Sequence, residues 1–210
     1  MSTFAGWTIV NPPQIPATPA SPVYAAPSQI DYSFIDLTAG TINPFTGQGQ
    51  FQTWQAGWME WDVQMPAMHI TAAVQWRAWL MSLQGLTNIF QLGDPSHVTP
   101  YGTGAGTPVV NGVGQTGFTL STTGWTGGGN VLMPGDWIQI GYRLYCNLTA
   151  VSGPSPTLSI WPQLRESPTS GTAIVTTNTK GVWRMKEAVR RCSISEMRMS
   201  GFHFTIREAI

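Results

Sequence analysis

The chain has 210 residues with ten Lys+Arg against ten Asp+Glu, and a net charge of zero excludes the broad basic field of a general nucleic-acid binder. Only 10% of its residues are charged, against about 25% in an ordinary soluble domain. Ten Trp, eight Phe and five Tyr have to be placed, more than one core of this size readily holds. Aromatic surplus belongs to protein–protein contacts, where large rings are covered at low entropic cost, so the composition points to a subunit of an assembly before an enzyme.

The length suits one large or two small domains, and either buries a real core. The charge is uneven. Residues 1–160 hold Arg77 and Arg143 against six acids, Asp31, Asp36, Glu60, Asp62, Asp94 and Asp136, whereas 161–210 hold eight Lys/Arg against four Glu. Opposite-signed surfaces orient partners, so complementary contacts between copies are one reading and a solvated tail is the other. Cys146 and Cys192 are distant from each other and from any metal-spaced residue, and are expected to be separate reduced thiols. No apolar run approaches the ~20 residues of a membrane-spanning helix. Met1–Val10 lacks a basic region followed by a long apolar core, so no secretory signal is expected.

In chain order, Pro12, Pro13, Pro16, Pro19, Pro22 and Pro27 predict an extended arm, because proline donates no backbone hydrogen bond and fixes φ. Gly47 and Gly49 suit a hairpin turn within 43–50. From Gln50 to Met65 the pattern has period two, with Met59, Trp61, Val63 and Met65 on one side and Glu60, Asp62 and Gln64 on the other. Trp54 and Trp58 fall out of phase with Met59, so either a bulge at Gly57 or cover on both faces is expected. Thr71 to Gln84 predicts the one strong helix, with the stripe Ala72, Trp76, Trp79, Leu80 and Leu83, Thr71 as N-cap and Gly85 at its left-handed end. A strand at Thr87–Leu92 follows.

Residues 95–130 are glycine-rich. The spacing Gly102-x-Gly104-x-Gly106 lacks a strand–helix context and a following lysine, so it predicts tight turns and no phosphate loop. Short strands at Trp137–Ile140, Arg143–Val151, Thr157–Trp161 and Ile174–Thr177 predict a small barrel or sandwich. Gly201–Glu208 alternates Phe202, Phe204 and Ile206 against His203, Thr205 and Arg207, and reads as a strand returning to the first sheet. The expected fold is therefore mainly β with one amphipathic α-helix: an α+β sheet domain carrying an inserted small β-barrel or β-sandwich. Residues 1–49 form a proline-rich arm and first hairpin, 50–94 with 181–210 the sheet domain, and 95–180 the insertion.

Chemistry is sparse. His69, His97 and His203 are not at metal-ligand spacing, and catalysis would need one of them to meet a distant acid. Glu60 and Asp62 share a strand face as a glycosidase pair would, but two carboxylates on a solvated strand face are far commoner. Ser82 and Ser121 sit in no nucleophile elbow. Neither an enzymatic activity nor a cofactor or metal is expected. Arg190 and Arg191, with Arg184, Lys186 and Arg198, form the basic cluster, fit for a partner's carboxylate or for passing nucleic acid.

The order of several segments resembles a family of tailed-bacteriophage and prophage distal tail proteins. The resemblance covers roughly 50–210 and is carried by Gly57-Trp58-Met59-Glu60-Trp61, Leu80-Met81-Ser82-Leu83-Gln84-Gly85 and Phe90-Gln91-Leu92-Gly93-Asp94-Pro95. Thr107 to Gly112, Gly117-Phe118-Thr119-Leu120, Gly124-Trp125, Gly135 to Gly141, Leu144-Tyr145, Leu158 to Arg165 and Lys180 to Met185 continue it. It implies a structural, cofactor-free subunit of a siphophage tail tip (baseplate hub). Such subunits form a homo-oligomeric ring, commonly a hexamer, that joins the tail tube protein to hub and fibre proteins around a channel through which DNA passes. The location implied is the virion tail tip, after synthesis in the host bacterial cytoplasm. On this reading the sheet domain forms the ring, Glu60 and Asp62 face the channel, and Trp54, Trp58, Trp76, Arg190 and Arg191 lie at subunit interfaces. Other readings are a different tail-tube or baseplate adaptor subunit, or a carbohydrate-binding module.

Overall fold

The computed structural model describes residues 2–13, 27–188, 191–194 and 199–210. The stretch 14–26, where most of the proline arm was expected, lies outside them, as does Arg190. With 50% strand and 7% helix, the protein is mainly β with one helix.

The chain opens with a tight hairpin, β1 (Thr3–Phe4) and β2 (Trp7–Thr8), whose turn residues Ala5 and Gly6 both have positive φ, 47° and 82°, as a type I′ turn demands. Ile9 then bridges to Ile89. Two long strands follow, β3 (Gln29–Ile42) and β4 (Gly49–Gln64), paired along nearly their whole length. The first fifty residues thus contribute a sheet edge strand, β3, as well as a hairpin tip. Register slips where Asp36 faces Gly57 and Thr38 faces Thr53. This irregularity adjoins Gly57, where a Cβ would stand 2.9 Å from Asp36 Oδ1 and 3.1 Å from the Ile35 carbonyl. A side chain there would have to displace the Asp36 carboxylate and crowd the Ile35 carbonyl, so the position favours glycine.

β5 (Met68–His69) leads straight into α1 (Ile70–Ser82), the single helix among the described residues. The N-cap is His69 and not Thr71. His69 is still extended, at ψ 149°, because it pairs with the returning strand, so its Nδ1 is the acceptor nearest the first turn and takes the Thr71 N–H at 3.4 Å. Leu83 closes the helix, with Gln84 (φ 48°) and Gly85 (φ 74°) both left-handed. The stripe Ala72, Trp76, Trp79, Leu80 and Leu83 is fully buried, joined by Ala73.

β6 (Phe90–Leu92) precedes the central segment: β7 (Gly106–Val110), β8 (Gly117–Trp125), β9 (Asn130–Leu132), β10 (Trp137–Ile140), β11 (Arg143–Asn147), β12 (Val151–Ser152), β13 (Thr157–Leu164) and β14 (Ile174–Val175). Six of these pair in the order β14-β10-β11-β13-β8-β7. The two ends nearly meet, since Val109 bridges to Ala173 and Val110 exchanges backbone hydrogen bonds with Thr172 and Gly171. The result is a nearly closed barrel around Leu120, Leu132, Ile138, Leu158 and Ile160. The chain then returns through β15 (Gly181–Met185), β16 (Arg191–Ile194) and β17 (Met199–Glu208) to complete a second sheet, ordered β3-β4-β17-β15-β6, with β5 and β16 also on β17.

One face of this larger sheet is the main core. Met59, Trp61 and Val63 of β4, with Met65 just beyond its end, align with Phe202, Phe204 and Ile206 of β17 and with Trp183 and Met185 of β15. The helix covers one part, with Trp79 edge-on to Phe90 at 5.0 Å and to Phe204 at 6.0 Å. The barrel covers another, through Trp137 and Leu144. Trp61 lies between Trp183 (4.1 Å), Tyr32 (5.1 Å) and Trp137 (6.2 Å) and has no exposed surface, so this aromatic cluster welds sheet to barrel. Tyr32 also donates to Asp94 in the loop after β6, and burial together with that carboxylate pushes its hydroxyl pKa well up.

Candidate functional site

Beyond Asp36 and Gly57, β3 and β4 leave the sheet and, among the described residues, pair only with each other. The ribbon turns at Asn43–Gln48, where the Asn43 N–H donates to the Gln48 carbonyl (2.9 Å) and the Phe45 N–H to Asn43 Oδ1 (2.9 Å). Residues 36–52 and Trp54 are all exposed. They include Ile42 and Phe51, and Phe45 is 95% open to solvent. The Phe51 ring lies across Gly40 and Gly49, where a Cβ would come within 2.5 and 2.7 Å of it, so glycine at these positions lets the ring flatten on the backbone. A bare two-stranded ribbon is marginal in water, and its two free edges are open to further pairing.

The root of this ribbon is held by the barrel. Trp161 Nε1 donates to Asp36 Oδ1 at 3.0 Å, and its ring meets Phe34 edge-on at 5.1 Å. Arg165 donates from Nη2 to the Gly57 carbonyl and to Glu208 at 2.8 Å. Arg143 lies 3.8 Å from the same carboxylate and also donates to the Ala209 carbonyl. These ionised groups are almost wholly buried, so the pairing is obligatory: removing one partner strands a charge in low dielectric.

The sheet face opposite the core carries the charges. Glu60 was expected on a solvated strand face lining a channel, yet its side chain is only 9% exposed. It accepts from Lys186 Nζ (2.7 Å) and Trp58 Nε1 (3.1 Å), with Arg207 Nε at 3.9 Å. Burial alone pushes its pKa up, but the hydrogen bonds from Lys186 and Trp58 and the charges of Lys186 and Arg207 outweigh burial and hold it below the ordinary value. It presents no free negative charge. Asp62, on the same face, is more open and meets His203 Nε2 at 2.6 Å.

The expected interface residues separate. Trp54 is exposed on the ribbon. Trp58 is half-buried under the Arg207 guanidinium, 4.2 Å above its ring. Trp76 is corrected: it is 4% exposed inside the protomer, edge-on to Trp79 at 5.3 Å, because its place in the helix stripe points it at the sheet. Arg190 lies outside the described residues, and the backbone of Arg191 pairs with His203. Phe45, Phe51 and Arg207 were not singled out from the sequence as contact residues, whereas Arg184 belonged to the basic cluster. The aromatic residues flanking a glycine turn, and the parity shared by Arg207 and His203, were the available signals.

Two histidines do meet distant acids. His97 Nε2 lies 3.0 Å from Asp136, which also accepts from the backbone N–H groups of Tyr101, Gly102 and Met133. This fully buried carboxylate straps the 97–102 loop to the barrel. The Asp62–His203 pair is solvent-facing. No group of three or more His, Cys, Asp or Glu able to hold a metal occurs among the described residues. Cys146 is a free thiol whose pKa rises to about 11, through burial first and the charge of Asp136 second, so it is neutral at pH 7. No helix among the described residues is long and apolar enough to cross a membrane.

In comparisons with known proteins, no family model and no curated protein matches the chain.

Proposed function

We propose that this chain is a structural subunit that closes into a homo-oligomeric ring. In the reading suggested by its resemblance to distal tail proteins, that ring sits at a siphophage tail tip, between tail tube and hub or fibres, around the DNA channel. The observation that carries the proposal is the 36–54 ribbon. It is a β-hairpin rooted on the barrel, with Phe45 in its turn and Phe51 and Trp54 on β4 open to solvent and no covering element among the described residues. A ring made by repeating one contact uses two different surfaces per subunit, and a projecting ribbon laid on the next copy's body is such a contact. The strand-rich design and low charge support the same reading.

The test is the mass of the purified chain in solution. The native protein should form one closed species of fixed copy number, with a central opening in electron micrographs. A variant with Phe45→Ser and Phe51→Ser should keep its fold and remain monomeric. A native chain that stays monomeric at roughly 100 µM, far above working affinities in the micromolar range, overturns the reading.

A further inference from the structure

Where β15 and β17 run side by side, the larger sheet holds a pocket of about 370 Å³ lined by Arg184, Lys186 and Arg207, with Leu86 and Ile210 as its exposed apolar wall. Arg184 of β15 lies directly opposite Arg207 of β17, and like charges so placed repel unless an anion joins them. Each guanidinium is nevertheless seated on an indole ring at 4.2 Å, Arg184 on Trp7 and Arg207 on Trp58. The two cations are therefore held at the pocket by their aromatic supports.

The carboxylates nearby leave this charge in excess. Glu208, which also lines the pocket, is already paired with Arg165 at 2.8 Å and Arg143 at 3.8 Å. Glu60 takes Lys186 at 2.7 Å and comes no nearer to Arg207 than 3.9 Å. Arg184 has no carboxylate within ion-pair distance among the described residues, and its Nε is buried without a hydrogen-bond partner. Planar guanidinium groups present parallel N–H donors that match the two oxygens of a carboxylate.

We propose that this pocket receives an acidic side chain of a different protein, from a segment that sets an aliphatic residue beside the acid. The carboxylate lies between Arg184 and Arg207, and the aliphatic neighbour covers Leu86 and Ile210. Charge complementarity selects the acid, and the apolar wall selects a peptide over a polyanion. Bases need open rings to stack on, whereas the indoles beside these cations already carry guanidinium groups. A phosphate chain would also meet Glu60, opposite Arg207, and Asp62, opposite Thr205, on the same face. The far ribbon of a second copy supplies no anion either, since residues 37–54 contain no acid. At about 370 Å³ the pocket is near the small end of ligand sites, suited to a side chain or two. The inference goes beyond the ring, because it concerns a contact with an unlike partner at a surface that contains no ribbon residue.

The full chain is titrated with three fluorescein-labelled probes: a short peptide alternating Glu and Leu, the same peptide with Gln for Glu, and an oligothymidylate of about ten nucleotides. The Glu peptide should bind about tenfold more tightly than the Gln peptide at about 50 mM salt, and this preference should shrink severalfold at about 500 mM. Arg184→Met with Arg207→Met should abolish the preference while leaving the chain's own copy number unchanged. Should that variant fail to fold, the Glu-against-Gln comparison and its salt series on the native chain decide. No binding of the Glu peptide at about 1 mM, or equal binding of both peptides, overturns the proposal. So does an oligothymidylate that binds more tightly than the Glu peptide, which marks a nucleic-acid site, or a changed copy number in the Arg variant, which marks a contact between copies. The ribbon variant Phe45→Ser with Phe51→Ser should bind the Glu peptide as the native chain does, whatever becomes of the ring. Failure of the pocket and failure of the ring reading are thereby told apart.

Discussion

Strands β3 and β4 pass through two environments within one hairpin. Near the sheet, Trp61 faces Tyr32 across the ladder and is sealed beneath the barrel and the other aromatic residues. Further out, Phe51 faces Gly40 in the same antiparallel pairing and is 72% exposed. The pairing chemistry is alike in both halves, so what differs is the cover. Alternation along a strand decides which side chains share a face, but only a third element decides whether that face is dry. The near half finds its cover in the helix and barrel of its own chain, and the far half finds none among the described residues, which is where the proposed reading places another copy.

Substitutions in the two halves should therefore differ most. Trp61→Ala removes a ring with no exposed surface and should cost about 3–5 kcal/mol in denaturant unfolding, a large share of a domain's whole stability. Next comes the root that joins the halves. Arg165→Met leaves Glu208 buried with only Arg143 at 3.8 Å and should cost about 3 kcal/mol, accompanied by faster hydrogen exchange in the ribbon. Smaller still is Glu60→Gln, about 1 kcal/mol at neutral pH. The native Glu60 pKa is lowered, so its contribution is complete above the ordinary carboxylate range and fades as pH falls through the folded value. Acid titration of native stability should thus steepen below roughly pH 4.5, and the Gln variant should show a shallower curve. The smallest effect belongs to the far half: Trp54→Ala should change the stability of the lone chain by less than about 0.5 kcal/mol while weakening assembly. Equal losses for Trp61→Ala and Trp54→Ala in a monomeric sample would erase the contrast.

Much of the scaffold could be read from local pattern. The period-two runs at Met59–Met65 and Phe202–Ile206 and the helix stripe at Ala72–Leu83 each match a buried face, because burial on one side imposes its periodicity on the residues. What escaped depends on partners far along the chain. Glu60 looked like a solvated carboxylate because Lys186, 126 residues later, is what encloses it. His69 replaced Thr71 as cap because β17 holds it extended. Asp136 and His97, 39 residues apart, meet only through the fold of the barrel. Trp76 belonged to the helix stripe, which already pointed it at the core, whereas no local pattern showed that Trp54 would lie 51% exposed.

The central claim, that the far ribbon is covered by another copy, is tested most directly by amide hydrogen exchange of residues 38–53 over a dilution series. The account predicts strong protection at high concentration that collapses on dilution, while amides of 58–64 stay protected throughout. Ribbon amides that exchange rapidly at every concentration, in a sample whose near-half amides remain slow, would contradict it.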